Sequence, residues 1–364
     1  MAARRFRGST MTHPSSKCVY CGETKPLSEF NRGHVIPQAF GRFEDNLVLH
    51  EAECLACNDL FGKSLELALA RDSKEGLERF EHGLVKARKD GRRLAGNRIT
   101  FTQQGLFEGA SLEIDPEAPS DELRLRPVRE IGFGQDWDGP FSWFKPEDVP
   151  PIEELRKHGL VVAAAGSMSA EEVAALLAER GVQVSERRCF GDPRDADGKI
   201  STTMRGRIDH VLKRAIAKIA FSYLAHEYPG ISRMPEFDDI RRYVRLGHVP
   251  MSFDTVTIST DSILGGLPPD TQLLAHVVTV RWDARLRHVI AQVTLLGWVQ
   301  YQVTLSAAPF RIEPRCIESG HAFNPFVRQI AKLTRNRRLS IPFWTMTKDE
   351  FARWRADGMR PKAA

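Results

Sequence analysis

The hydrophobic pattern of the chain predicts a mixture of helices and antiparallel strands. From Arg207 to about Glu227, apolar residues recur every three or four positions, which predicts a long helix with one continuous apolar face. Residues 98–145 alternate between apolar and polar positions in three short stretches and predict β structure with turns. Residues 273–305 predict long antiparallel strands. Together these segments favour an α+β fold. Four polar residues are expected to lie off the apolar helix face: His210, Lys213, Arg214 and Lys218. The first three are expected to form a plain polar face.

Residues 17–70 predict a smaller module with its own order of elements. Residues 34–36 predict a short strand that ends at Pro37, and residues 46–49 predict a second one. From Asn58 the apolar positions recur at steps of three and four, which predicts a helix. The expected order is therefore strand, loop, strand and helix.

Four of the six cysteines bracket these elements in two CxxC pairs: Cys18, Cys21, Cys54 and Cys57. Four thiolates on two such knuckles suit a tetrahedral Zn²⁺ ion, and Gly22 allows the tight turn after the first pair. A module of about 50 residues buries little apolar surface, so the metal is expected to supply much of its stability. Because a site of four cysteines is closed, a catalytic ion would have to be a second one.

Composition sets broad limits on the class of protein. The 364 residues are 42% hydrophobic and 27% charged, which is ordinary for a globular protein of two or three domains. No apolar run predicts a membrane span, and residues 1–16 predict a flexible leader without a secretory signal. Cysteines in CxxC pairs favour a reducing, cytoplasmic setting. The net charge of +5 alone does not predict a nucleic-acid partner.

The combined motif resembles the HNH (His-Asn-His) endonuclease superfamily. It reads Cys-x₂-Cys, His-Val-Ile-Pro, Asn-Leu and Cys-x₂-Cys-Asn, followed by Asp-Leu-Phe-Gly-Lys, and it is similar to the zinc-knuckle branch in which asparagine replaces the last histidine. The resemblance covers residues 18 to about 75. It implies a treble-clef-like ββα-metal fold, in which two strands and a helix hold one divalent cation beside the scissile phosphate.

The same resemblance implies a role for three residues of this chain. His34 would be the general base that activates water, a role that suits a neutral imidazole. Asn46 would hold the loop between the strands and orient His34. Asn58 would be a ligand of the catalytic ion, Mg²⁺ or Mn²⁺. The resemblance therefore implies an endonuclease that hydrolyses phosphodiester bonds in DNA.

One position departs from the family pattern. The residue before the base is usually an acidic metal ligand, and here it is Gly33. Three explanations of this departure are open: another residue supplies the carboxylate, the metal is held weakly, or the module is inactive. The candidates are Glu29, Asn31, Glu66 and Asp72. Glu66 on the helix is the tentative metal ligand of this group, although a solvated helix face is the favoured interpretation of Glu66 and Asp72.

Basic residues are concentrated directly after the module. Residues 71–98 contain nine basic and five acidic side chains, and Arg335–Arg338 forms a second cluster. Such residues can neutralise DNA phosphates without selecting a base sequence. The alternative is that they form a solvated protein surface with no DNA contact. The expected DNA-binding residues are Lys86, Arg88, Lys89, Arg92 and Arg93.

The expected organisation is a nuclease module with a basic helical extension over 17–98 and an α+β region over 99–364. The second region has no motif that indicates its chemistry, and target recognition, sensing or formation of a homo-oligomer are open roles. Restriction or antiviral defence is a function the resemblance suggests. Two alternatives remain: a non-catalytic zinc-ribbon module that binds nucleic acid or protein, and a nuclease effector gated by a ligand or partner.

Overall fold

The computed structural model of the protein describes residues 14–43, 47–82, 84, 99–115, 124–137, 140–159, 161–182, 202–248, 255–259, 271–296, 299–306, 310, 314–333 and 345–356. The chain forms two compact units. Unit 1 comprises residues 1–70, 82–85 and 208–364, and unit 2 comprises residues 71–81 and 86–207. This division differs from the boundary predicted at residue 98, because the C-terminal region belongs to the same unit as the cysteine module.

Unit 1 begins with the predicted cysteine module. Its elements are β1 (Ser15–Lys17), β2 (Thr24–Pro26), β3 (Phe30–His34), β4 (Val48–Cys54), α1 (Leu55–Phe61), a π-helical turn (Gly62–Glu66) and α2 (Leu67–Arg71). β1 pairs with β2 and β3 pairs with β4, both antiparallel, and α1 packs on β3 and β4. The predicted ββα order is confirmed, but the bounds differ: β3 ends at His34, where the predicted strand begins, β4 continues to Cys54, and α1 starts before Asn58. Strand β1 starts at Ser15, inside the segment predicted to be a flexible leader, and residues 1–13 lie outside the described residues.

Unit 2 contains two antiparallel sheets. Its elements are α3 (Lys74–Glu81), β5 (Ile99–Gln103), β6 (Ser111–Ile114), β7 (Leu125–Pro127), β8 (Glu130–Gly134), β9 (Ser142–Phe144), α4 (Ile152–His158), β10 (Val161–Ala165), α5 (Ala170–Glu179) and β11 (Thr202–Gly206). The strand orders are β11-β5-β6-β7 and β10-β8-β9. Helix α5 starts with a capping box between Ser169 and Glu172, which satisfies two backbone N–H groups at the helix start.

The C-terminal part of unit 1 combines two helices with a large sheet. Its elements are α6 (His210–Glu227), α7 (Asp238–Leu246), β12 (Val256–Ser259), β13 (Thr271–Leu273), β14 (His276–Asp283), β15 (His288–Leu295), β16 (Val299–Thr304), β17 (Glu318–Asn324), β18 (Gln329–Lys332), β19 (Thr345–Thr347) and α8 (Lys348–Ala356). Six strands form an antiparallel sheet in the order β12-β16-β15-β14-β17-β18, and β13 pairs with β19. The predicted long strands are confirmed, and the α+β class with them.

Helix α6 is the centre of the unit 1 core. It begins at His210, because the Asp209 carboxylate accepts the backbone N–H groups of Val211 and Leu212. It contacts β4 and the π turn of the cysteine module as well as β14 and β15 of the sheet. Every residue from Ala215 to Ala225 is buried. A helix with apolar residues all round must be covered from more than one side, which is why N-terminal and C-terminal segments share one unit.

A buried histidine fixes the loop after β3 to the large sheet. His276 Nε2 lies 2.8 Å from the carbonyl oxygen of Phe40, and its Nδ1 accepts the backbone N–H of Leu296. Since Nε2 donates and Nδ1 accepts, the imidazole is neutral. Burial lowers the pKa of His276 to about 4. Within the described residues, no helix is both long and apolar enough to cross a membrane.

The stability of the fold should therefore depend on pH through His276. The unfolded histidine binds a proton below about pH 6.5, whereas the folded one does so only near pH 4, so its contribution is complete above pH 6.5 and is lost as the pH falls towards 4. Between pH 7 and pH 5 this loss is about 2 kcal/mol. We expect His276→Gln to remove this part of the pH dependence in urea unfolding. The matched change at exposed His50, His50→Gln, should retain it, and an unchanged pH dependence in His276→Gln would contradict the assignment.

Candidate functional site

The four cysteines of the CxxC pairs meet at one point. Their sulfur atoms all lie within 4.8 Å of one another, and Cys21 Sγ is 3.9 Å from Cys54 Sγ. Tetrahedral Zn²⁺ with bonds of about 2.3 Å places its sulfur ligands about 3.8 Å apart. Among the described residues this is the one group of three or more histidine, cysteine or acidic side chains close enough to hold a metal ion. The donor set and its spacing fit a structural zinc ion.

Backbone hydrogen bonds form the first knuckle and attach it to β4. Gly22 has φ +74°, as predicted for the tight turn, and its N–H donates to the carbonyl of Cys18. Val19 N–H donates to the carbonyl of Ala52 at 2.8 Å. A hydrogen bond with Cys57 lowers the pKa of the Cys18 thiol to about 4 and raises that of Cys57. A soft cation bound to the cluster would displace the proton of the hydrogen bond between Cys18 and Cys57, because it binds all four sulfurs as thiolates.

The zinc prediction is tested with one knuckle variant. We expect Cys57→Ser to lose the bound zinc and to lower the melting temperature by about 10 °C, since a small module depends on its metal. Elemental analysis gives the zinc content, and calorimetry gives the melting temperature. The control is Cys316→Ser, because Cys316 is exposed and lies outside the cluster. Full zinc occupancy in Cys57→Ser would disprove the four-cysteine site.

His34 lies at the C-terminal end of β3 and is half-buried. Its Nε2 is 2.8 Å from the amide nitrogen of Gln38, which can only donate, so Nε2 accepts this bond. Its carbonyl oxygen accepts a hydrogen bond of 2.9 Å from the Lys218 ammonium group. Burial is the main cause that lowers the pKa of His34, and the positive charge of Lys218 adds to it. The imidazole is therefore neutral at neutral pH.

The space beside Gly33 is occupied by the side chain of Glu53 from β4. A Cβ atom added to Gly33 would lie 2.0 Å from Glu53 Oε2. The pairing of β3 with β4 is irregular here, because one residue separates Asn31 from Gly33 while three separate their partners, Glu53 and Leu49. Glu53 is fully buried, and neither of its carboxylate oxygens has a hydrogen-bond partner in the described residues. Burial raises its pKa to about 7, although the charge of Lys218 opposes this effect.

A buried ion pair joins the module to α6. Lys218 Nζ lies 2.8 Å from Glu66 Oε1, and the lysine side chain is 1% exposed. Burial alone would lower the pKa of Lys218, but Glu66 and Glu53 outweigh it and raise the pKa. Two sequence predictions are wrong here. Lys218 does not lie off the apolar face but is buried in the core, and Glu66 on the π turn is not a solvated group, because its carboxylate is paired with this buried cation.

The other predicted site residues have different positions. Asn58 lies in the first turn of α1, directly after Cys57, and is partly buried. Among the candidate replacements for the ligand at Gly33, Glu29 pairs with Lys25, Asn31 accepts the N–H of Arg32, and Asp72 belongs to unit 2. Ten predicted residues lie outside the described residues, namely Asn46, Lys86, Arg88, Lys89, Arg92, Arg93, Arg335, Asn336, Arg337 and Arg338.

The sequence contains a signal for two site residues that the motif does not predict, Glu53 and Lys218. Lys218 lies in the run from Ala215 to Ala225, in which it is the one charged residue, and Glu53 directly precedes a cysteine of the second CxxC pair. A charged residue in such a position needs a partner, because burial of an unpaired charge is costly.

A basic cavity of about 300 Å³ lies beside the first knuckle and α7. It is lined by five basic residues and one acidic residue: Lys17, Arg233, Arg241, Arg242, Arg245 and Asp238. Arg241 is held by the carbonyls of Ser232 and Met234 and by Asp238. The lining therefore carries an excess of positive charge, and part of it is on exposed side chains.

Residues 18–74 match the model of the HNH endonuclease family. The matched segment includes both CxxC pairs, β3, β4 and α1, so it confirms the resemblance on which the site assignment was based. No curated protein and no solved structure matches the chain. The match indicates nuclease activity at the level of the family, and it implies a nucleic-acid substrate.

Proposed function

We propose that the protein is a metal-dependent HNH endonuclease that hydrolyses phosphodiester bonds in DNA. The observation that carries the proposal is the position of His34 at the end of β3, within a ββα unit that matches the family model. The resemblance to the family supports His34 as the general base. The proposed function makes the cysteine cluster a structural zinc site and requires a second, catalytic cation.

His34 would take the proton from the attacking water. Its lowered pKa keeps the imidazole neutral and able to accept a proton at neutral pH. The bond from Gln38 to Nε2 is exposed to solvent, so water can replace the amide there. The bond from Lys218 to the His34 carbonyl holds the backbone of the base to the core helix α6. We propose that Asn46 adds a further restraint on this loop.

Asn58 would be an oxygen ligand of the catalytic cation. A hard ion such as Mg²⁺ or Mn²⁺ fits this proposal, because the amide oxygen of Asn58 is a hard ligand of the kind that such ions prefer. The fully buried carboxylate of Glu53, which has no hydrogen-bond partner in the described part of the chain, supports a cation in this region. When bound, such an ion stabilises the negative charge that develops on the phosphate and the leaving oxygen.

The cavity beside the first knuckle would contact the DNA backbone. Lys17, Arg242 and Arg245 lie on its wall, and positive charge at such a wall attracts phosphates without selecting a sequence. Arg242 is paired with the carboxylate of Asp239, and a phosphate could share the guanidinium group. The segment 86–93 stays a predicted DNA contact in addition to this surface.

The nuclease proposal is tested by plasmid cleavage with added Mg²⁺ or Mn²⁺. We expect metal-dependent cleavage by the wild-type protein and a loss of at least about 100-fold in His34→Ala, since a general base contributes that much or more. Zinc content and thermal stability should be unchanged in the variant. The control is His50→Ala, an exposed histidine on β4, which should cleave at the wild-type rate.

Three results would contradict the proposal, and the last two would favour one alternative each. Equal cleavage by His34→Ala would exclude the proposed base. A wild-type protein that binds DNA but neither cleaves it nor binds Mn²⁺ would be a non-catalytic zinc module. A wild-type protein that binds Mn²⁺ without cleavage would favour an effector that needs a ligand or partner.

The DNA surface is tested by the salt dependence of binding. In the His34→Ala background, which keeps the DNA intact, we expect Arg242→Ala with Arg245→Ala to weaken binding. The slope of log K against log salt concentration should become shallower by up to about 2, because each lost phosphate contact removes about 0.9. Fluorescence anisotropy measures both quantities. Arg285→Ala, on the exposed turn between β14 and β15, is the control, and an unchanged slope in the double variant would exclude this surface.

A further inference from the structure

The carboxylate that the family places before its base is missing from this chain, but its space is not empty. Gly33 has no side chain, and a Cβ atom there would lie 2.0 Å from Glu53 Oε2 and 2.9 Å from Glu53 Cδ. The φ of Gly33 is not in the left-handed region, so its backbone does not require glycine. Glycine is needed at residue 33 for lack of space, because any side chain there would overlap the carboxylate of Glu53.

The Glu53 carboxylate also lacks the partners that a buried acid normally has. It is fully buried, and both of its oxygens are without a hydrogen bond in the described residues. Lys218, whose positive charge acts on Glu53, directs its ammonium group to Glu66 and to the carbonyl of His34. A buried polar group without a partner destabilises a fold, and such a group commonly indicates an ion or ligand that completes the site.

We propose that Glu53 supplies from β4 the carboxylate ligand that Gly33 cannot supply from β3, and that it binds the divalent cation of the nuclease site. The irregular pairing of the two strands makes this exchange possible, because it brings Glu53 beside Gly33 although Leu49 is the paired residue. The region has a second carboxylate, that of Glu66 on the π turn, and the ion pair with Lys218 holds it in place. This inference rests on the proposed nuclease function.

The first test measures Mn²⁺ binding to the zinc-loaded protein by electron paramagnetic resonance, which detects the free ion and needs no enzyme activity. We expect one bound Mn²⁺ in the wild-type protein and an affinity at least about tenfold lower in Glu53→Gln. Glu51→Gln is the matched control, since Glu51 lies on the same strand with an exposed side chain. Wild-type affinity in Glu53→Gln, or no Mn²⁺ bound by the wild-type protein, would overturn the proposal.

A second set of variants keeps the test decisive if Glu53→Gln does not fold. Gly33→Asp alone should be destabilised, because its Cβ overlaps Glu53. The exchange variant Gly33→Asp with Glu53→Ala removes the overlap and returns the carboxylate to β3, so we expect it to recover Mn²⁺ binding. Gly33→Ala with Glu53→Ala has the same space but no carboxylate and should bind at least about tenfold more weakly than the exchange variant. Equal Mn²⁺ affinity in these two double variants would overturn the proposal.

The two proposals fail in different ways. If the wild-type protein cleaves DNA with Mn²⁺ while Glu53→Gln binds Mn²⁺ normally, Glu53 is not the ligand but the nuclease function stands. If the wild-type protein shows neither cleavage nor Mn²⁺ binding, both proposals are wrong.

Discussion

The structure of unit 1 depends on the burial of α6 from more than one side. The helix is apolar around most of its circumference, so the cysteine module and the large sheet each cover part of it. Lys218 is the exception within this helix. Its side chain is 1% exposed, and its ammonium group is stabilised by Glu66 and by the carbonyl of His34. Both partners come from the cysteine module. The buried ammonium group of Lys218 therefore connects the core helix α6 to the backbone of the proposed base, His34.

Two further contacts attach the module to the rest of unit 1. Tyr20, between the two cysteines of the first knuckle, is fully buried and hydrogen bonds to Ser222 and to the carbonyl of Lys218. His276 holds the carbonyl of Phe40 in the loop that follows His34. A module of this size buries little surface by itself, and these contacts supplement what the zinc ion would contribute. The position of His34 is thus restrained by the C-terminal region.

The pairing of β3 with β4 decides which side chain lies beside residue 33. Gly33 has no side chain, and the bulged pairing of the two strands places the carboxylate of Glu53 in the space beside it. The motif alone shows only that residue 33 carries no carboxylate. In three dimensions a carboxylate is present there, although it belongs to a different strand.

The sequence by itself determined the local features. The CxxC spacing predicted the sulfur cluster, the short apolar segments predicted the ββα order, and the periodicity after Arg207 predicted α6. Each of these features has a signal in the residue spacing within a short segment, which a linear pattern reveals. The two CxxC pairs are far apart along the chain, but four thiols in this spacing are the donor set of one metal ion. Only the tertiary structure decided that Lys218 is buried, that Glu66 is its partner and that Glu53 fills the space at Gly33. Such contacts join residues that are distant along the chain or lie across an irregular strand pair, and no periodic pattern encodes them.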